Sequence, residues 1–222
     1  YRNRVLAVNK RDKESLSVYL GTDGGVFDQA SKKYRLDRKD DEIWLCYVGT
    51  LGFSYDIECV LDALRLLKER NFSRVVKFVV IGDGPLKNRF EKCAEDKSVY
   101  VEFTGKMSYE KMVGLLCSCD ITINPIKKGS AGSIINKVGD YALSGLPVIN
   151  TQECEEYRDL IEQYKCGINC EVGSVKEIAN AIEKLALDKD LRGRMGKRSR
   201  ELGDERFDRR KTYSAIASLF EN

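Results

Sequence analysis

Ser133, Asn136, Lys137 and Asp140 are spaced for chemistry on a phosphate-bearing ligand. They fall in the stretch GSAGSIINKVGDYALSGLPVIN, residues 129–150, which opens on small residues and closes on an apolar run fit for a strand. With Ser133 as cap, the spacing predicts a helix over residues 134–144 stopped by Gly145, with the four polar side chains on one narrow face. Ile135, Val138 and Ala142 then fall on the opposite face, towards a sheet. The polar set covers two turns, roughly 10 Å of helix, which is close to the reach from a diphosphate to its ribose. Amides near Ser133 and Ile134 and the helix dipole would receive phosphate oxygens. Lys137 would add a positive charge, and Asp140 would accept from ribose hydroxyls. An ordinary amphipathic helix with a solvated Lys137 and Asp140 pair has the same spacing, and geometry alone leaves both open.

Such a helix needs a frame, and the rest of the chain supplies one. Strand-like segments at 43–48, 77–81, 100–104, 121–124, 147–150 and 168–171 are mostly apolar on both faces, as in a buried parallel sheet. Helical periodicity lies between them: Ile57, Val60, Leu61, Leu64 and Leu67 form one stripe, and Val175, Ile178, Ile182 and Leu185 another. The alternation predicts an α/β fold, a Rossmann-like, doubly wound parallel sheet of about six strands flanked by helices. A polar opening with one short strand-like piece, LSVYLG, precedes it. A helical tail follows, with Tyr213, Ile216, Ala217 and Phe220 on one stripe and its basic residues interleaved with acids as on a solvated face.

In an open parallel sheet the ligand sits beyond the carboxyl ends of the strands. Those exits read VGTLG with Gly49, Thr50 and Gly52, IGDGP with Gly82 and Gly84, FTGKM with Gly105, Lys106 and Met107, and NPIKKGSAGS leading to Ser133. A tight turn explains any one glycine. Four such exits together point to a backbone-lined pocket for an elongated, phosphate-bearing ligand. GDGPLK departs from a dinucleotide fingerprint, because Lys87 holds the third glycine position and the motif follows the second strand of the alternation.

Composition narrows the chemistry. The 222 residues carry 38 basic and 35 acidic side chains and are 42% hydrophobic, which suits a packed domain with no demand for nucleic acid. Absence of histidine excludes any imidazole-based triad within the chain. The eight cysteines are scattered, with no CxxC, and read as reduced, packed thiols rather than a disulfide framework or a zinc site. Asp188-Lys189-Asp190 matches a metal motif by letters only, since it lies in the turn after a helix. No apolar run approaches the roughly 18 residues of a membrane helix, and Tyr1 begins no leader, so the expectation is a cytoplasmic protein without metal or cofactor.

With these motifs in hand, the chain resembles the C-terminal, nucleotide-sugar-binding half of a retaining GT-B glycosyltransferase of family four. Within that family it is similar to enzymes of bacterial capsule, O-antigen and exopolysaccharide assembly. The resemblance runs from YVGTLGFSYDIECVLDALRLL through FVVIGDGPLKNRF, VEFTGKM and INKVGDYALSGLPVI to CGINCEVGSVKEIANAI. It implies a UDP- or GDP-sugar donor, a glycan or lipid-linked acceptor, and a site in which the Gly49 loop approaches the diphosphate and residues 105–107 border the base. The helix that follows Ser133 would serve diphosphate and ribose. It also implies a division into a connection at 1–41, a donor domain at 42–203 and a C-terminal helix at 204–222. An absent N-terminal domain would hold the acceptor, and the full-length enzyme would work in the cytoplasm, at the inner face of a membrane where the acceptor is a lipid. Two departures stand out: the first acid of the family's Glu, seven residues, Glu motif falls on Gly132, and the Arg and Lys that usually follow the first strand are replaced within GTLGFSYD. Lys137 is left as the main cation, with Lys106 second. A noncatalytic sugar-nucleotide-binding module and an NAD-dependent sugar-nucleotide enzyme are the alternatives.

Overall fold

A computed structural model describes residues 18–38, 41–130 and 132–217. Its elements are α1 (Gly24–Tyr34), β1 (Ile43–Val48), α2 (Ile57–Glu69), β2 (Val76–Ile81), α3 (Lys87–Asp96), β3 (Val101–Gly105), α4 (Tyr109–Leu116), β4 (Ile121–Asn124), α5 (Lys137–Leu143), β5 (Val148–Asn150), α6 (Glu155–Tyr164), β6 (Gly167–Asn169), α7 (Val175–Leu187) and α8 (Lys189–Leu202). A π-helical turn (Gly203–Phe207) and two short helices, α9 (Arg209–Thr212) and α10 (Ser214–Ala217), complete the described chain.

The strands form one parallel sheet in the order β3-β2-β1-β4-β5-β6. Alternation along β1 divides the core. Ile43, Leu45 and Tyr47 face a layer built from α2, α3 and α7, while Trp44 and Cys46 face one built from α1, α4, α5 and α6. Both faces are therefore covered, which is why these strands read as nearly continuous apolar runs. The eight cysteines are free thiols, all but Cys93 buried.

Three expectations differ from what is observed. Residues 24–34, expected within a connection, form α1, capped by Asp23, whose carboxylate accepts from the Gly25 and Val26 amides at 3.0 Å. Its Phe27 and Ala30 are buried, and Gly114 of α4 lies so close to Tyr34 that a Cβ would overlap it. The polar run SKKY and the paired glycines at its start hide this helix from periodicity. The expected LSVYLG strand lies partly outside the described residues; its described residues 18–21 form no strand, and a single bridge to Asp208 follows at Thr22. The tail is broken rather than continuous. Fully buried Phe207 draws the chain into the core, Thr22 N–H donates to the Phe207 carbonyl at 2.7 Å, and Arg209 N–H donates to the Thr22 carbonyl at 2.9 Å. Tyr213 and Ile216 of the expected stripe are exposed, and Phe220 lies outside the described residues.

Candidate functional site

The strand order reverses between β1 and β4, so the connections leaving these two strands part to opposite faces and open a crevice at their carboxyl ends. The loops around that crevice are locked to one another. Gly49 N–H donates to the Ile81 carbonyl at 2.9 Å, Leu51 N–H to Asp83 at 2.9 Å, and Gly82 N–H to Gly105 at 3.1 Å. Gly82, at φ +144°, has the Gly49 carbonyl where a Cβ would stand, and Gly84 has the Leu51 backbone there. These two glycines are thus required by loop-on-loop approach, whatever else passes over them. Gly52 closes a turn by accepting from Tyr55 N–H at 3.2 Å, and Thr50 is exposed with its carbonyl bonded to the Tyr47 hydroxyl at 2.8 Å. Gly105 ends the edge strand β3 at φ +72°, with Lys106 exposed and Met107 packed against the α1/α4 layer.

Lys137 reaches across this crevice. It begins α5 on one face of the sheet, yet its Nζ stands 4.1 Å from the ring centre of Tyr47 and 3.9 Å from that of Tyr55, both on the other face. The nitrogen is closed off from solvent and has no hydrogen-bond partner among the described residues. It also fills the space beside Gly49, where a Cβ would come within 2.5 Å of it. Burial pushes its pKa well below the usual lysine range. Each aromatic face returns about 0.5–2 kcal/mol to an ammonium. Several kcal/mol are lost by removing that ammonium from water, so desolvation dominates.

Asp140, one turn further on, is half-buried. Its Oδ1 accepts from the Thr22 and Tyr109 hydroxyls, each at 2.9 Å, and among the described residues Oδ2 receives neither bond. Burial raises its pKa, while those two hydroxyls and the more distant Arg209 hold it down. Lys137 and Asp140 therefore do not form the solvated pair that their spacing allows.

The helix expected from residue 134 begins only at Lys137. Asn136 already has helical dihedrals and makes no side-chain cap, and exposed Ser133 caps nothing. Residues 132–136 instead run as a loop, because the Ser133 carbonyl is taken by Gln152 Nε2 at 2.6 Å. Gln152 belongs to a buried row of amides at the carboxyl ends of the strands. Asn124 Nδ2 donates to Asn150 Oδ1 at 2.9 Å and to Gln152 Oε1 at 3.2 Å, and Asn150 Nδ2 to Asn169 Oδ1 at 3.0 Å. The sequence carried a signal for this row, since three strands end in asparagine in matching register, but periodicity reads such residues only as strand ends.

Tyr141 fixes where α5 sits. Its fully buried hydroxyl accepts from Val48 N–H at 2.9 Å and donates to the Ile123 carbonyl at 3.2 Å, which ties the parting ends of β1 and β4. Tyr141→Phe leaves the Val48 amide unsatisfied, so denaturant unfolding should show a loss of about 1–3 kcal/mol; an unchanged midpoint would remove this role.

A cavity of about 820 Å³ lies at the opposite, amino end of the strands, lined by Arg35, Arg38, Asp41, Arg74, Asp120 and Arg192 among others. Its charged walls largely satisfy one another, as in the Arg38–Asp120 and Arg74–Asp41 pairs at 2.9 and 2.8 Å. Asp188 also lies at that end, where it caps α8 by accepting from Leu191 N–H at 2.8 Å. Among the described residues no helix is long and apolar enough to cross a membrane.

Comparison with known proteins places this geometry. Residues 28–202 match the family described as glycosyl transferases group 1. An uncharacterised glycosyltransferase, MJ1069 of Methanocaldococcus jannaschii, is 25% identical over 99% of this chain and 56% of its own length. The alpha-D-kanosaminyltransferase of Streptomyces kanamyceticus is 24% identical over 82% of this chain and 46% of its own. The chain thus spans about half the length of these curated relatives. Among solved structures, Anabaena Alr3699/HepE in complex with UDP superposes with a TM-score of 0.79 at 16% identity, covering 99% of this chain and 61% of that one. The six-strand parallel sheet and its flanking helices are those of GT-B glycosyltransferases. Since the family match takes in the whole sheet and every loop at the switch point, this chain belongs to the glycosyl transferases group 1.

Proposed function

We propose that the chain binds a nucleoside diphosphate sugar, with uridine or guanosine as its nucleoside, across the crevice between β1 and β4. It would act as the donor half of a glycosyltransferase that passes the sugar, with retention, to a glycan or lipid-linked acceptor. The observation that carries this reading is the Lys137 amine, buried at the strand carboxyl ends without a hydrogen-bond partner among the described residues. Holding a positive charge there costs several kcal/mol, and a diphosphate entering beside Gly49 offsets that cost. As the bond to the sugar breaks, charge grows on the departing diphosphate, and a fixed ammonium in a dry setting stabilises it; no side-chain nucleophile is required.

Other residues take their parts by position. Gly49, Thr50 and Gly52 shape the loop above the phosphates, with Gly82 and Gly84 letting that loop pack down. Ser133, Ile134 and Asn136 offer backbone amides from the facing loop. Asp140 Oδ2 accepts from the ribose, while Gly105, Lys106 and Met107 border the base. The acceptor would be held by a further domain, as in the capsule and O-antigen branch, at the cytoplasmic face of a membrane where it is lipid-linked. Gly132, which stands where related enzymes carry an acid, is what would favour a noncatalytic binding module instead.

Calorimetry of the chain with UDP and GDP tests the site. The wild type should bind at least one of them, and Asp140→Asn should weaken that binding about tenfold. Asparagine keeps an Oδ1 for Thr22 and Tyr109. Because burial raises the carboxyl pKa above its unfolded value, ionisation there costs stability above that value, so the variant should be no less stable at neutral pH. No nucleotide binding by the wild type, or equal binding by both, overturns the site.

A further inference from the structure

Resting on the donor reading, we infer that Glu153 is a specificity residue: its carboxylate recognises hydroxyls of the group carried by the diphosphate.

The crevice has two chemically different ends. On one side is Lys137, between Tyr47 and Tyr55. On the other is the loop that leaves β4 and returns as α5, whose stretch from Gly129 to Asn136 carries no charged side chain of its own. Lys127 and Lys128 stand just before that stretch, and a carboxylate is brought to it from a neighbouring strand. Glu153, just after β5, is exposed, and its Oε2 accepts from Gly129 N–H at 3.0 Å. Beside it Gln152 donates to the Ser133 carbonyl, so two consecutive residues clamp both arms of the loop. Between the clamps, Gly132 faces open space: a Cβ there would meet nothing within 4 Å.

Among the described residues no Lys or Arg pairs with Glu153, and Oε1 makes no hydrogen bond. A carboxylate with a free oxygen at this loop offers an acceptor to neutral O–H donors, and bonds to an ionised acceptor are about twice as strong as neutral ones. A ligand that is anionic at one end and rich in hydroxyls at the other matches both ends at once. The space beside Gly132 is where that hydroxyl-rich end fits, with Glu153 at its edge. The side chain comes from the β5 exit rather than from α5 or its loop, so spacing within GSAGSIINKVGD gives no hint of it.

The test compares UDP with UDP-glucose, and GDP with GDP-mannose, on wild type and on Glu153→Gln, by calorimetry. Glutamine keeps an oxygen for the Gly129 amide and loses only the charge. The expected result is that the variant binds the sugar nucleotide about tenfold more weakly relative to the free nucleotide than the wild type does, while the free nucleotide binds equally or more tightly. Parallel weakening of both ligands would mean that Glu153 only holds the loop, and an unchanged ratio would remove it from the site; either overturns the inference. A wild type that binds UDP or GDP keeps the donor reading intact in both those cases. A wild type that binds neither overturns that reading, and this inference with it.

Discussion

Lys137→Met is expected to abolish nucleoside diphosphate binding and, in the same protein, to raise the thermal midpoint of the ligand-free state. The two effects share one cause. In the free protein the amine is buried between Tyr47 and Tyr55 with no hydrogen-bond partner among the described residues. Methionine has nearly the same length, carries no charge, and keeps a favourable contact with aromatic rings. Replacing a buried ionic group by an apolar one of similar volume often stabilises by about 1–4 kcal/mol, and in a chain of this size each kcal/mol moves the midpoint by roughly 2–4 °C. Removing the charge that meets the diphosphate should cost about 2–5 kcal/mol of affinity, roughly 30-fold to several thousandfold. A lower midpoint, or unchanged affinity, would sink the proposed role.

The sign of the pH dependence gives an independent check. Burial holds the Lys137 pKa well below its unfolded value of about 10.4. In the window between the two, the unfolded chain carries more protons at this site, so wild-type stability should gain with rising pH through that window. The methionine variant lacks that contribution. The groups facing the amine, the Cys46 thiol and the Tyr47 and Tyr55 phenols, all have pKa values raised by burial and stay neutral at neutral pH. A diphosphate beside the amine would raise its pKa back toward the usual lysine range. Nucleoside diphosphate affinity in wild type should therefore fall as pH rises above the free-protein pKa of this amine, a dependence that the variant lacks at this site.

Gly82→Ala is expected to have the largest effect on the fold of the site. At φ +144° an alanine is strained, at about 1–3 kcal/mol for such a backbone conformation. Its Cβ would also overlap the Gly49 carbonyl oxygen, which belongs to backbone and cannot swing away as a side chain can. Relieving the clash means moving the Gly49 loop outward. That strains the Gly49–Ile81 and Leu51–Asp83 hydrogen bonds and withdraws the loop from Lys137. A total loss on the order of 3 kcal/mol or more, read by denaturant unfolding, should accompany loss of nucleotide binding. Gly132→Ala is the internal control, since a Cβ there meets open space and stability should hold. Equal midpoints for Gly82→Ala and wild type would show that the loops are not locked in this way.

The sequence by itself determined the alternation of strands and helices, the parallel sheet with both faces buried, and the carboxyl ends of the strands as the place to look. Those follow from local periodicity, because a strand buried on both sides must be apolar throughout and a helix over it must carry a stripe. It also brought Lys137 and Asp140 to notice, though as neighbours on one solvated or ligand-facing helix side. Only the tertiary structure decided that Lys137 crosses the crevice to rings on the other face of the sheet, while Asp140 turns to Thr22 and Tyr109. The delayed start of α5 had the same kind of origin: Gln152, remote in sequence, takes the Ser133 carbonyl and keeps that loop from winding into helix. Helix α1 escaped for a further reason, since Phe27 and Ala30 become core residues only once Gly114 lets α4 approach Tyr34. Spacing reports which residues share a face. What that face meets depends on strand order, and the reversal between β1 and β4 is set by how distant segments pack, which no local pattern encodes.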